Sequence, residues 1–275
     1  MPVIPKISLE SFVDQCRSQT IPLNSLFSYF SATPLDESTI KRVLHDPIAA
    51  LPPVVAKLLP PVAVLLVPFL EEAAGNGRSA QTTSTKESKN GNEGKRRARS
   101  RPAQSGRLVT FKRPARRRQL FSATFVDGGD TFVFVSVSDE DVADCHYSFY
   151  NALSSLISGK LEQESLDGFA DLVREELSNG ANGEIDEGSW ELKEELVRRQ
   201  SNPAKNSPLL RNYLSQALDD TLTLYMHGLC CDIDLEAGPR QLASPNIRRR
   251  LNLVRSFLSP PSGFSLFPEE LDRHH

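Results

Sequence analysis

Apolar residues recur along this chain first at helical spacing, then as strand-like runs, then again at helical spacing. Leu9, Phe12, Val13 and Cys16 form a helical stripe with Ser8 placed to cap it. Ser11 stands where a glutamate or glutamine would complete a capping box, so the reciprocal half of that motif is missing. The stretches "NSLFSYF" and "DESTIKRVL" read as further short helices, the second opening at Asp36 and ending before Pro47. Residues 62 to 67 are a continuous apolar run of β-branched and leucine side chains, a candidate buried strand. "RLVTFKR" suggests another strand, and "QLFSATFV" and "TFVFVSVS" flank "DGGD" (Asp127 to Asp130) as a β-hairpin would.

Beyond the hairpin the pattern is helical. Ser138 or Asp139 is expected to cap a helix with Val142, His146, Phe149, Tyr150, Leu153 and Ile157 on one face. Later stripes run through Leu166, Phe169, Ala170, Val173 and Leu177, and then Trp190, Leu192, Leu196 and Val197. A long helix is expected from Leu210 to Tyr225, and a last one capped by Ser244, opened by Pro245 and stopped by Pro260 and Pro261. The expected fold is α+β and predominantly helical, with one small antiparallel sheet built on the hairpin at about 119–137. The run at 62–67 is a candidate to join that sheet.

Composition adds a division that periodicity does not give. Between Lys95 and Arg118 stand eleven of the chain's 32 basic residues and no acid, leaving 21 basic residues against 35 acidic ones elsewhere. Residues 75–106 carry Gly, Ser, Thr, Asn, Lys and Arg and almost nothing to bury, so they are expected to be a disordered basic insertion. It interrupts a single domain assembled from residues 1–74, a helical segment ending in a strand, and 107–275, because each flank looks incomplete alone. The 275 residues suffice for a core without covalent staples.

Residues 47 to 70 are apolar and carry one charge, Lys57, which raises a membrane span. Six prolines in that stretch forbid a regular spanning helix, and two helical turns followed by a strand are expected instead. The four cysteines give no secreted framework and the N-terminus no signal peptide, so a reducing interior is expected, cytoplasmic or, in a eukaryote, nuclear.

Three places carry candidate chemistry. "YMHGLCCDIDLE", from Tyr225 to Glu236, holds His227, Cys230, Cys231, Asp232 and Asp234. His227 and Cys230 make one half of a zinc knuckle, but no second knuckle exists in the sequence. The favoured reading is a helix ended by Gly228, with His227 protonated by the helix dipole and the aspartates in a short edge strand. The metal alternative uses His146, His227, Cys230 and Asp232. Pairing His146 with Cys145 as ligands is disfavoured, because neighbours on a helix point about 100° apart. The second place is the acidic cluster after the hairpin, where Asp141, Asp144 and His146 suit a metal-assisted hydrolase; acids in a first helical turn also simply complement the dipole. The third is the basic strap, with Lys95, Arg96, Arg97, Arg99, Arg101, Arg116, Arg117 and Arg118 as candidate phosphate contacts, unless it folds back on the acidic body. No nucleophile elbow, glycine-rich phosphate loop, paired C-x-x-C or HExxH occurs. The expected function is a soluble intracellular interaction protein without cofactor, whose partner is nucleic acid or another acidic molecule. The alternative is the hydrolase with a divalent metal.

Overall fold

The computed structural model describes residues 6–73, 106–231 and 240–267. In chain order these form β1 (Lys6–Ser8), α1 (Leu9–Cys16), β2 (Ile21–Pro22), β3 (Phe27–Ser31) and α2 (Glu37–Ile40), which runs through a π-helical turn (Lys41–His45) into α3 (Asp46–Ala49). Then come α4 (Pro53–Leu58), β4 (Val62–Val67), β5 (Phe69–Glu72), β6 (Arg107–Thr110), β7 (Gln119–Leu120), β8 (Ser122–Asp127) and β9 (Asp130–Ser136). Helices α5 (Val142–Ile157), α6 (Gln163–Ser178), α7 (Glu187–Arg198), α8 (Pro208–Cys230) and α9 (Ser244–Phe257) follow. The insertion at 75–106 lies, Gly106 apart, outside the described residues.

The class is α+β, but the expectation of one small antiparallel sheet needs correcting. Two sheets form, one of four strands in the order β1-β6-β5-β7 and one of five in the order β2-β3-β4-β9-β8. The hairpin is present, turning on Gly128 and Gly129 with φ of 59° and 99°, the left-handed pair that suits a two-residue turn. Its second strand, β9, also pairs in parallel with β4, and β4 in parallel with β3. The hairpin is thus the rim of a mixed sheet. β3 falls in "NSLFSYF", read from sequence as a helix; pairing with β4, from Phe27 opposite Val62 to Ser31 opposite Leu66, overrides the local pattern.

The apolar run in β4 reflects burial on both faces. Val64 and Leu66 join the core beneath α5 and α8, whereas Leu65 and Val67 join a second core with Phe12 and Val13 of α1 and Val109 of β6. Pro68, lacking an amide proton, separates β4 from β5, which carries the chain into the other sheet.

Helix starts follow their caps. Ser8 accepts from the Ser11 amide, Asp36 from Thr39 and Ser207 from Leu210. α5 is capped by Asp141, not by Ser138 or Asp139, and α9 has Ala243 at its cap position, with Ser244 its first residue. Val197, expected on an apolar face, is 62% exposed. α5 runs back along β9 and packs on α8, around which α7 and α9 also gather. No helix among the described residues is long and apolar enough to cross a membrane.

A buried ionic cluster ties the helices together. The Arg250 guanidinium on α9 meets Glu176 of α6 at 2.6 Å and Glu184, before α7, at 2.8 Å. Lys193 of α7 reaches Glu184 at 3.2 Å, and the Tyr213 hydroxyl of α8 donates to the same carboxylate. Arg250 and Lys193 hold the Glu184 carboxyl below its ordinary value against the opposing effect of burial, the largest single influence on it.

Candidate metal centre

Gly228 does not end the long helix: it is buried inside α8, which continues through Cys230. The cap is Cys231, whose amide donates to the His227 carbonyl at 2.8 Å and whose backbone is extended, with φ −130° and ψ 148°. That break matters for the side chains. Inside a helix, adjacent residues diverge by about 100°, but Cys231 has left the helix. Both thiols therefore turn to the same imidazole: Sγ of Cys231 lies 3.2 Å and Sγ of Cys230 3.5 Å from Nδ1 of His146.

His146, on the second turn of α5, is 5% exposed. Its Nε2 lies 2.6 Å from the Arg42 carbonyl oxygen. A carbonyl only accepts, so Nε2 carries a proton and donates it, and Nδ1 is the nitrogen aimed at the sulfurs. The site stands at the carboxyl end of the parallel strands: α5 follows β9, and the π-turn bearing Arg42 lies in the crossover after β3. Open α/β sheets commonly bind ligands at that edge.

Burial pushes the Cys230 thiol up, nearby Asp46 adds to this, and the neighbouring Tyr150 and Cys231 side chains oppose it. Tyr150 donates to the Pro47 carbonyl at 2.9 Å, and burial, with the neighbouring cysteines, raises its own pKa far above the ordinary range. A cysteine poised to attack as a thiolate needs a lowered pKa, so Cys230 is not set up as a simple nucleophile. His227 lies one turn before Cys231, its ring edge-on to Tyr147 at 5.6 Å and to Tyr150 at 6.5 Å. Its pKa is lowered, by burial first, against a hydrogen bond with the Ala143 backbone. The expectation that the helix dipole protonates it is corrected: loss of water outweighs the dipole. Its Nε2 has no hydrogen-bond partner among the described residues.

Asp141 caps α5, accepting from the Asp144 amide at 2.9 Å, and the exposed Asp144 does not join the His146 group. Cys145 turns away, its thiol donating to the Ser136 carbonyl at 3.8 Å, and burial pushes it up to about 12. Asp232 and Asp234, like Lys95, Arg96, Arg97, Arg99 and Arg101, lie outside the described residues. Arg116, Arg117 and Arg118 form a 3-10 turn before β7, the first two exposed. Arg118 lies 3.4 Å from the buried Glu71 carboxylate, which Lys6 meets at 2.6 Å, and Arg113 lies 3.4 Å from Asp139.

Sequence reasoning missed Cys231 and the Arg42 carbonyl. The signal for Cys231 was its place next to Cys230 at a helix end, where the rotation rule lapses. Nothing in sequence marks a backbone carbonyl on a distant turn.

Nδ1 of His146 and the two sulfurs lie within 4.8 Å of one another, and no fourth His, Cys, Asp or Glu among the described residues joins them. Ligands about 2.0 and 2.3 Å from one tetrahedral zinc-class ion stand roughly 3.5 Å apart; the two nitrogen–sulfur distances, 3.2 and 3.5 Å, fit with little movement. Donation of the remote imidazole proton to a backbone carbonyl is the usual support of a metal-bound histidine. The same π-turn contributes Lys41 and His45 to the wall of a groove of about 1120 Å³ that Leu23, Tyr29, Leu35 and Ile40 also line. In comparison with known proteins, the chain matches no family model, no curated protein and no solved structure.

Proposed function

We propose that this protein is a metal-dependent hydrolase of the zinc class, with His146, Cys230 and Cys231 as its protein ligands. The observation that carries the reading is the convergence of two sulfurs on one ring nitrogen whose opposite nitrogen is fixed by a carbonyl. A hydrogen-bonded thiol–imidazole pair needs only one sulfur. Two thiolates and one imidazole are a soft donor set that selects zinc over magnesium or calcium. Structural zinc sites close with four protein ligands, whereas the three found among the described residues leave a coordination place for water and substrate, which suits Lewis-acid hydrolysis. The test is hydrolysis of chromogenic carboxylate and phosphate esters by zinc-loaded protein, by protein stripped with a chelator, and by zinc-loaded Cys231→Ser. Turnover by the first alone is expected; equal turnover by all three would refute the assignment.

A second reading keeps the basic segment as a contact for nucleic acid or another acidic partner. The exposed Arg116 and Arg117 favour it; Arg113 beside Asp139 and Arg118 beside Glu71 instead favour a strap folded onto the acidic body. Binding to mixed-sequence duplex at graded salt separates the two.

A further inference from the structure

We propose that Pro47 is a positioning residue: it keeps the Arg42 carbonyl free for His146 and so sets which ring nitrogen faces the two thiols. In an α-helix, the Arg42 carbonyl would accept from the amide four residues on, that of Asp46. Here the Asp46 amide reaches back five residues, to Lys41, the π-helical pattern that recurs at functional sites. In the same register, the next donor to Arg42 would be residue 47. Proline has no amide proton, so that bond cannot form. The carbonyl is taken by Nε2 of His146 at 2.6 Å, across 104 residues of chain. Pro47 also meets the helix that bears His146: its own carbonyl accepts the Tyr150 hydroxyl of α5 at 2.9 Å.

The inference rests on the metal-centre reading only for the affinity part of its test. Pro47→Ala in the full chain restores an amide proton at residue 47 and leaves every ligand in place. Long-range proton–nitrogen NMR on the metal-free protein reports the His146 tautomer directly. The parent is expected to hold the proton on Nε2; in the variant a substantial Nδ1-protonated population should appear. Zinc affinity, measured by chelator competition, is expected to fall about 10- to 100-fold, the usual effect of losing such a support. A variant with the parent's tautomer and affinity overturns the proposal. If the parent binds no zinc, the metal reading fails, and the tautomer comparison still decides the role of Pro47. If Pro47→Ala does not fold, Pro47→Gly, which also restores the amide proton, is read in its place, and a proton on Nδ1 in the parent refutes the proposal.

Discussion

Helix α8 passes through two buried polar clusters built on opposite terms. Near its start, Tyr213 joins Arg250, Glu176, Glu184 and Lys193, where every charge faces one of opposite sign. At its end, Cys230 and Cys231 turn toward His146, two sulfurs and a ring nitrogen within 4.8 Å of one another. In the first cluster one Glu176 oxygen has no partner among the described residues. The second is the donor set proposed to take a metal ion. Between the two, Asp219 and Asp220 each keep a buried oxygen that has no partner among the described residues. Paired buried charge holds helices in place; the converging donors at the end of α8 are what the proposed metal reading rests on.

The largest effect should come from breaking the paired cluster. Arg250→Ala leaves two buried carboxylates facing each other, and should cost about 3–5 kcal/mol in urea denaturation. A loss below 1 kcal/mol would mean that the cluster is not the clamp described.

Asp220 sharpens the contrast through pH. Burial pushes its carboxyl up from 3.8 to about 7, against hydrogen bonds from Ser189 and Gln216. The folded state therefore holds this proton more tightly than the unfolded chain does. That contribution to stability is fully present below the unfolded pKa and is lost as pH rises through about 7. Asp220→Asn should change little near pH 4 and stabilise by up to roughly 4 kcal/mol above pH 8. The same difference at both pH values would contradict this.

The open cluster should respond to its ligand. Zinc at about 100 times its dissociation constant should add roughly 2.7 kcal/mol of stability. The gain should vanish in Cys231→Ser and shrink as pH falls, because the thiols must lose protons to bind. Thermal melts with and without zinc measure it. The smallest effect belongs to the surface: Arg116→Gln with Arg117→Gln should leave stability within about 0.5 kcal/mol. If a duplex binds, the same pair should lower the salt slope by about 0.9 per lost phosphate contact.

How much of this was legible in the sequence depended on whether the signal was local. The Gly128–Gly129 hairpin, the β4 run and the faces of α5 and α8 are written in adjacent residues and fold as read, except that Gln119 and Leu120, expected in the hairpin, pair in the other sheet as β7. β3 was not legible, because "FSYFS" becomes a strand only beside β4. His146, Cys230 and Cys231 were visible as residue types, but 84 and 85 residues separate the histidine from the cysteines, and the packing of α5 on α8 brings them together. The expected helix stop at Gly228 failed: the glycine is buried inside α8, and the helix runs on to Cys230. That extension carries Cys230 and Cys231 to His146.

If His146, Cys230 and Cys231 hold one metal ion, equilibrium dialysis followed by metal analysis should find about one zinc per chain in the parent, in Cys145→Ser and in His227→Ala, and none in His146→Ala or Cys231→Ser. A parent that retains no zinc, or ligand variants that retain as much as the parent, would contradict the metal reading.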